Sequence, residues 1–315
     1  MTPQFDLVTM GRVGVDIYPL QTGAGLEDVT SFGKYLGGTA TNVAVAAARY
    51  GRRSAVVTKT GADPFGRFVH RALQSYGVDD RFVGVSAHLP TPVTFCEIFP
   101  PDDFPLYFYR FPQAPDLDLH PSDVDLDAVR ATKIFWVTAT GLCQEPSRST
   151  TLDALEARGR KAITVLDLDY RPMFWESREQ AHEWVSRALD HVTIAVGNLD
   201  EAETAVATRE PRDAAKALRD RGISLAVIKQ GPRGVLAVDD SGEVEVPPLP
   251  VEVVNGLGAG DAFGGALCHG LLSGWDTEQV IRFANAAGAH VAGELACSDA
   301  MPTEEQVLER LNQNV

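Results

Sequence analysis

The chain has 315 residues, 44% of them hydrophobic, and its 28 basic and 43 acidic side chains give a formal charge of −15. One large α/β domain of that size buries about 75% of its unfolded surface, so a single domain over residues 1–315 is expected. The acidic balance excludes nucleic acid as a partner, since that binding needs a basic face, but leaves room for a small anion held by a few converging arginines.

Apolar runs that read as buried strands recur at Leu7–Met10, Ala55–Thr58, Ile134–Thr138, Ile163–Leu168, Val192–Val196 and Leu225–Ile228. They alternate with helical stretches at Asn42–Tyr50, Gly66–Tyr76, Arg148–Arg158, Gln180–Leu189 and Asp213–Arg221, and Ala262–Leu272, Glu278–Ala292 and Glu304–Leu311 close the chain. Such alternation implies an α/β fold, a three-layer α/β/α arrangement around a mostly parallel sheet with ligands at the strand carboxyl ends. Two segments break the rhythm. Val13–Pro19 with Ser31–Leu36, and Pro92–Phe99 with Leu106–Phe111, read as short strands with no helix between them. They would form a small β-sheet lid from discontinuous segments near 12–36 and 90–112. Asp116–Asp127 reads as a solvated acidic loop.

The opening Met1–Met10 has no basic region followed by a long apolar stretch, and no segment approaches 18 uninterrupted apolar residues, so a soluble cytoplasmic protein without membrane partners is expected. Cys96, Cys143, Cys268 and Cys297 are scattered without C-x-x-C or histidine pairing, which suits buried thiols better than zinc or disulfides.

Two glycine-rich turns lead into helices. Gly37-Gly38-Thr39-Ala40-Thr41-Asn42 precedes an alanine-rich helix ending at Gly51, and Asn42 either caps that helix or offers an amide to a sugar hydroxyl. Asn255-Gly256-Leu257-Gly258-Ala259-Gly260-Asp261 follows Val251–Val254, which reads as a strand end, and opens the helix at Ala262. A helix N-terminus carries unpaired donors and a partial positive charge, and glycines let a phosphate approach the backbone. Asp261 beside such a site reads as a general base for an attacking hydroxyl, or as an acidic cap. The chain has no G-x-x-x-x-G-K-[ST], and this turn breaks the G-x-G-x-x-G spacing.

These residues, with Gly61, Asp63 and Gly66, then Asn198 and Glu201, then Gly231 and Gly234, resemble in order the motifs of the ribokinase-like (PfkB) carbohydrate kinases, from about Leu7 to Leu311. The resemblance implies a kinase using ATP and Mg2+. Asp261 would be the base, and the amides of Gly258, Ala259 and Gly260 would face the charge of the transferred phosphoryl group. Asn198, Lys229, Gly231, Gly234 and Asn285 fall at nucleotide positions, and Glu201 at one that acts on Mg2+ through water. Asp16, Gly37, Gly38 and Asn42 match the positions that grip the acceptor sugar.

Tyr107, Tyr109 and Arg110 on the second lid segment, with Arg171 after a core strand, narrow the acceptor class. Two arginines from separate segments suit a carboxylate, which a guanidinium binds bidentately, although each alone suits a surface ion pair equally well. These stretches are similar to the branch of the family that phosphorylates keto-deoxy sugar acids. The tail Ala296–Thr303 is similar to the branch that phosphorylates 5-dehydro-2-deoxy-D-gluconate on its terminal hydroxyl, with 2-keto-3-deoxygluconate or a fructokinase-like substrate as alternatives. Asn255-Gly256 stands where the family commonly has Asp-Thr, which puts in doubt a monovalent-cation site. Thr138-Ala139-Thr140 stands where ribokinase proper tends to carry a sugar-binding Glu, which disfavours a pentose. A non-catalytic sugar-acid sensor and a dinucleotide dehydrogenase are the readings from other classes, and exposed lid strands suggest a homodimer.

Overall fold

Seven parallel strands place their carboxyl ends along one edge of a nine-stranded sheet, and the polar residues of the chain's motifs gather there. The computed structural model describes residues 4–313, so Met1–Pro3 of the opening stretch lie outside it. The first half of the chain forms β1 (Leu7–Met10), β2 (Gly14–Pro19), β3 (Phe32–Gly37), α1 (Thr39–Arg49), β4 (Ser54–Gly61), α2 (Pro64–Ser75), β5 (Val83–Ser86), β6 (Val93–Cys96) and β7 (Leu106–Tyr109). Then come α3 (Leu126–Ala131), β8 (Ile134–Thr138), α4 (Ser147–Arg158), β9 (Ile163–Asp167), α5 (Arg178–Leu189), β10 (Ile194–Asn198), α6 (Leu199–Val206), α7 (Pro211–Asp220) and β11 (Leu225–Lys229). The chain ends with β12 (Val235–Asp239), β13 (Gly242–Val246), α8 (Ala259–Ser273), α9 (Thr277–Ala292) and α10 (Glu304–Asn312).

The large sheet has the order β13-β12-β11-β10-β9-β8-β1-β4-β5, antiparallel only where β12 and β13 join. Its central parallel strands are buried on both faces, as parallel strands under helices must be. Successive side chains go to opposite layers: Leu7, Ile134, Trp136, Val165 and Val227 pack with α1, α8 and α9, while Val8, Phe135, Val137, Leu166 and Ala226 pack with α4, α5 and α7. The chain leaves β1 toward β4 on one side, and later fills β8 to β11 on the other. Adjacent β1 and β8 therefore bound a switch point of the kind where α/β sheets bind ligands.

A second sheet, β3-β2-β6-β7, arises from the two segments that broke the alternation. It brings Asp16 on β2 and Phe108 on β7 over the carboxyl edge of the large sheet.

Several local expectations are corrected. Val251–Val254 is irregular, because Pro247, Pro248 and Pro250 cannot donate to a ladder. The strand pair β12–β13 escaped notice, although Val-Glu-Val alternation after Asp240-Ser241 signals it. Short β5, α3 and α6 were also missed. Asp116 is not solvated: its carboxylate is 2% exposed and takes Arg110 at 2.7 and 3.0 Å. All four cysteines are buried free thiols.

Candidate active site

Parallel registration aligns the strand ends that build the site. Thr138 pairs with Asp167 and Asn198 with Lys229, so β8 to β11 deliver polar side chains to one line. Beyond the ladder, the chain continues from β1 into Arg12 and from β9 into Asp169 and Arg171. Helix α8 begins at Ala259 against this line, and a cavity of about 440 Å3 lies between them and the small sheet. Five carboxylates (Asp16, Asp167, Asp169, Glu201, Asp261) and three cations (Arg12, Arg171, Lys229) line it.

The turn before α8 is forced by packing. Gly258 sits at φ 83°, and a Cβ there would come within 2.6 Å of the Cys297 sulfur, so only glycine serves. Both Asp261 and Ala262 donate their amides to the Gly258 carbonyl, at 3.1 and 2.9 Å. The amides of Ala259 and Gly260 precede that first intrahelical bond and remain open to an anion, with Lys229 approaching Gly260 from β11.

Asp261 stands on the first turn of α8. Its Oδ2 accepts from Asn42 Nδ2 at 2.7 Å. Desolvation pushes its carboxyl up to about 6 against the Asn42 bond, with Asp169 adding to the rise and Arg12 and Arg171 opposing it. Asn42 is not the cap of α1; Gly38 holds that place, and Asn42 lies one turn inside, buried, with its amide turned to the cavity. Asp16 is buried on β2, accepts from the Tyr18 hydroxyl at 2.9 Å, and is likewise pushed up to about 6, chiefly by burial. Gly37 lies against it: a Cβ would fall 2.2 Å from the carboxylate, so any side chain there would displace Asp16.

Asn198 and Glu201 form the capping box of α6. The Asn198 side chain accepts from the amides of Asp200 and Glu201, and Glu201 Oε2 accepts from the Asn198 amide at 2.7 Å. Glu201 Oε1 faces Arg171 at 3.5 Å, and Arg171 also meets Asp169 at 2.9 Å. Asp169 first, then Glu201, hold the Arg171 guanidinium firmly charged against the cost of burial. Desolvation alone would lower Lys229, but Glu201, Asp167 and Asp261 more than reverse it. Asp167 is raised well above the carboxylate range, first by burial and then by Asp169, Glu201 and Asp261, with Lys229 opposing. A further cation beside Asp167 and Glu201 would relieve that crowding, and both offer the hard oxygens Mg2+ takes. Among the described residues no group of three histidine, cysteine or acidic side chains is set to hold a metal unaided.

Gly231, Gly234 and Asn285 border a second, apolar groove of about 500 Å3, walled by Pro248, Leu249, Val253, Phe263 and Ala289. Lys229, Gly231 and Gly260 border both spaces, making one path from groove to cavity.

Three side chains expected to bind the acceptor do not join the cavity. Arg110 is consumed by buried Asp116, and Tyr107 and Tyr109 point outward at 43% and 63% exposure, as alternation on an edge strand dictates. The arginines thought to converge therefore do not. The sequence reading missed Arg12, whose Nη2 donates to Thr39 Oγ1 at 2.7 Å, whose guanidinium lies over the Phe108 ring, and whose buried Nε has no partner. Its only sequence signal was a basic residue just after the first core strand. Asn255 is fully buried; its Nδ2 donates to the Leu295 carbonyl and its Oδ1 accepts from Leu257.

Residues 4–304 match the description "pfkB family carbohydrate kinase". The chain belongs to this family of carbohydrate kinases. Among pfkB relatives, 5-dehydro-2-deoxygluconokinase of Geobacillus kaustophilus is 31% identical, with 98% of this chain and 94% of that protein covered. The Clostridium beijerinckii enzyme of the same name is 32% identical, with 96% and 92% covered. In three dimensions the chain is similar to a putative ribokinase II from E. coli in complex with ATP and Mg2+, with a TM-score of 0.89, 20% identity, and 98% and 99% covered. It is also similar to the fructokinase of Vibrio cholerae O395 bound to fructose, ADP and calcium, with a TM-score of 0.84, 25% identity, and 98% and 99% covered. The three-layer α/β/α fold with a small second sheet is thus the ribokinase-like fold. No helix among the described residues is long and apolar enough to cross a membrane.

Proposed function

We propose that this pfkB kinase transfers the γ-phosphoryl group of ATP to the terminal hydroxyl of a six-carbon keto-deoxy sugar acid, 5-dehydro-2-deoxy-D-gluconate. The observation that carries the acid preference is the pair Arg12 and Arg171, which line the same cavity as Asp261 from just beyond the carboxyl ends of β1 and β9. A neutral sugar needs no second guanidinium, and the unpartnered Arg12 Nε has hydrogen-bonding capacity to spare. The relatives named 5-dehydro-2-deoxygluconokinase support the choice within sugar acids. A panel of 5-dehydro-2-deoxygluconate, 2-keto-3-deoxygluconate, fructose and ribose, with ATP consumption as the readout, tests it. Preference for fructose or ribose would overturn the acid reading, and no turnover with any of them would favour a sensor.

In the working mechanism Asp261 takes the proton of the acceptor hydroxyl, and Asn42 holds the carboxylate in aim. The Ala259 and Gly260 amides face the charge that builds on the transferred group, and Lys229 flanks it. Asp16 grips sugar hydroxyls from the small sheet, which acts as a lid on a single domain and excludes water. The apolar groove at Asn285 would take the adenine ring. Glu201 and Asp167 would hold Mg2+, which would supply charge neutralisation at the phosphates.

The raised carboxyls give the reaction an acid limb. Both Asp261 and Asp16 are pushed up to about 6, and each works ionised, so kcat/KM should fall as pH drops through about 6 and steepen if both are required. An unshifted aspartate would hold activity to about pH 4.5. A profile at saturating ATP that stays flat down to about pH 5 removes the burial-shifted base from the mechanism.

The lid also suggests the assembly. Strands β3 and β7 are open edges, and Phe32, Tyr107, Tyr109 and Phe111 are exposed beside them. A homodimer through the lid is the reading they support. Sedimentation equilibrium should then give twice the 34.0 kDa chain mass, and Tyr109→Lys with Phe111→Asp should shift it toward monomer. A wild-type monomer at micromolar concentration would end this reading.

A further inference from the structure

The segment Ala296–Thr303 lies between α9 and α10, yet it reaches into the cavity wall. Cys297 meets the Tyr18 hydroxyl, itself bonded to Asp16. Ser298 is 1% exposed, and its Oγ lies 2.6 Å from Asn42 Oδ1 and 3.0 Å from the Leu36 carbonyl. Asn42 in turn donates Nδ2 to Asp261. A hydroxyl has one proton, so Ser298 cannot serve both acceptors at full strength. That surplus acceptor gives the chain of bonds two balanced arrangements.

In the first, Ser298 donates to Asn42 Oδ1 and Asn42 donates to an ionised Asp261. In the second, Ser298 turns its proton to the Leu36 carbonyl and accepts from the Asn42 amide nitrogen. The Asn42 carbonyl then faces Asp261 and accepts from its protonated carboxyl. The Ser298 hydroxyl and the Asn42 Nδ2–H keep an acceptor in both arrangements, and the interchange needs rotation of one amide, one hydroxyl and the Asp261 carboxyl, which takes its proton on the oxygen away from Asn42. An alanine at 298 would leave neither: Asn42 Oδ1 would be a buried orphan in the first arrangement and Nδ2 in the second.

We propose that Ser298 is a positioning residue that, through Asn42, holds a matched hydrogen-bond partner against Asp261 both before and after that carboxylate takes up a proton. The proposal rests on the kinase reading given above. Asp261 is also faced by Asp169, Asp167, Arg171 and Arg12 at the strand ends, by Lys229 from β11 and by Cys297, and these groups are unchanged by substitution at 298. A change in the titration of Asp261 on altering Ser298 therefore reports on the relay.

The test is a double-mutant cycle on the full chain, with kcat and the acid limb of kcat/KM as readouts. Ser298→Ala should lower kcat about tenfold, the worth of one buried hydrogen bond, with KM for ATP unchanged; because the 2.6 Å bond to Asn42 Oδ1 is the shorter of the two and backs the ionised carboxylate, the acid limb should move to higher pH. Ser298→Thr, which keeps the hydroxyl, should restore both. In an Asn42→Ala background, Ser298→Ala should have no further effect. An equal loss with and without Asn42, or an Ser298→Ala enzyme whose kcat and limb overlay the parent, overturns the relay. Should Ser298→Ala fold poorly, Ser298→Cys, with its weaker donor, is expected to fall between parent and alanine, and parental values there would equally overturn it. Full activity in Asp261→Asn would instead sink the kinase mechanism, so the two failures are separable.

Discussion

Asp261→Asn is expected to lower kcat by about a thousandfold, with the affinity for ATP within about twofold of the parent. The amide is nearly isosteric and leaves the first turn of α8 intact, so the open nitrogens of Ala259 and Gly260 still receive the phosphates. It cannot take a proton. The contact to Asn42 survives, since the new side chain can present its carbonyl oxygen to Asn42 Nδ2 and keep the 2.7 Å bond. Single-turnover phosphorylation measured beside equilibrium nucleotide binding separates the two effects. Retained turnover would remove Asp261 from the chemistry, and lost nucleotide binding would make it a structural residue of the turn.

The large sheet was legible because parallel strands buried on both faces must be continuous apolar runs, and Leu7–Met10 and Ile134–Thr138 have the bounds the run itself gives. The lid was legible from a break in that rhythm. The site was legible only where chemistry needs a local pattern: glycines before a helix, with Asp261 one turn in. Arg12 carries no such pattern. It becomes a cavity residue because β1 ends at the switch point and Phe108, from a strand ninety-odd residues later, lies across its guanidinium. Arg110 shows the converse. Its neighbours Tyr107 and Tyr109 suggested a recognition surface, but the acidic segment that looked solvated folds back and buries Asp116 as its counter-ion. Sequence spacing cannot reveal which carboxylate a given arginine will meet. Asn42 is a third case: capping preference taken alone suits a helix end, yet it lies one turn inside α1 with its Nδ2 on Asp261.

That exchange of arginines leads to the second large effect. Arg12→Met should reduce kcat/KM for the sugar acid by about ten- to a hundredfold, mostly through KM, while changing that for a neutral hexose by less than about threefold. Methionine keeps the contact with Phe108 and the bulk of the stem but removes all five N–H donors. Arg12→Lys should recover only part of the loss, because an ammonium keeps the charge without the planar fork. The acid limb should also move upward in Arg12→Met, since the guanidinium opposes the rise of the Asp261 carboxyl. Arg110→Met provides the contrast: it should leave KM for the acid unchanged and instead lower the melting temperature, because buried Asp116 would lose its counter-ion. Steady-state kinetics on both acceptors, with thermal unfolding of the three variants, decides the matter. Equal loss on acid and neutral substrates in Arg12→Met would make Arg12 a support for Thr39 and for Asp169, whose Oδ2 lies 3.9 Å from its Nη2, and return the choice of substrate to the rest of the cavity.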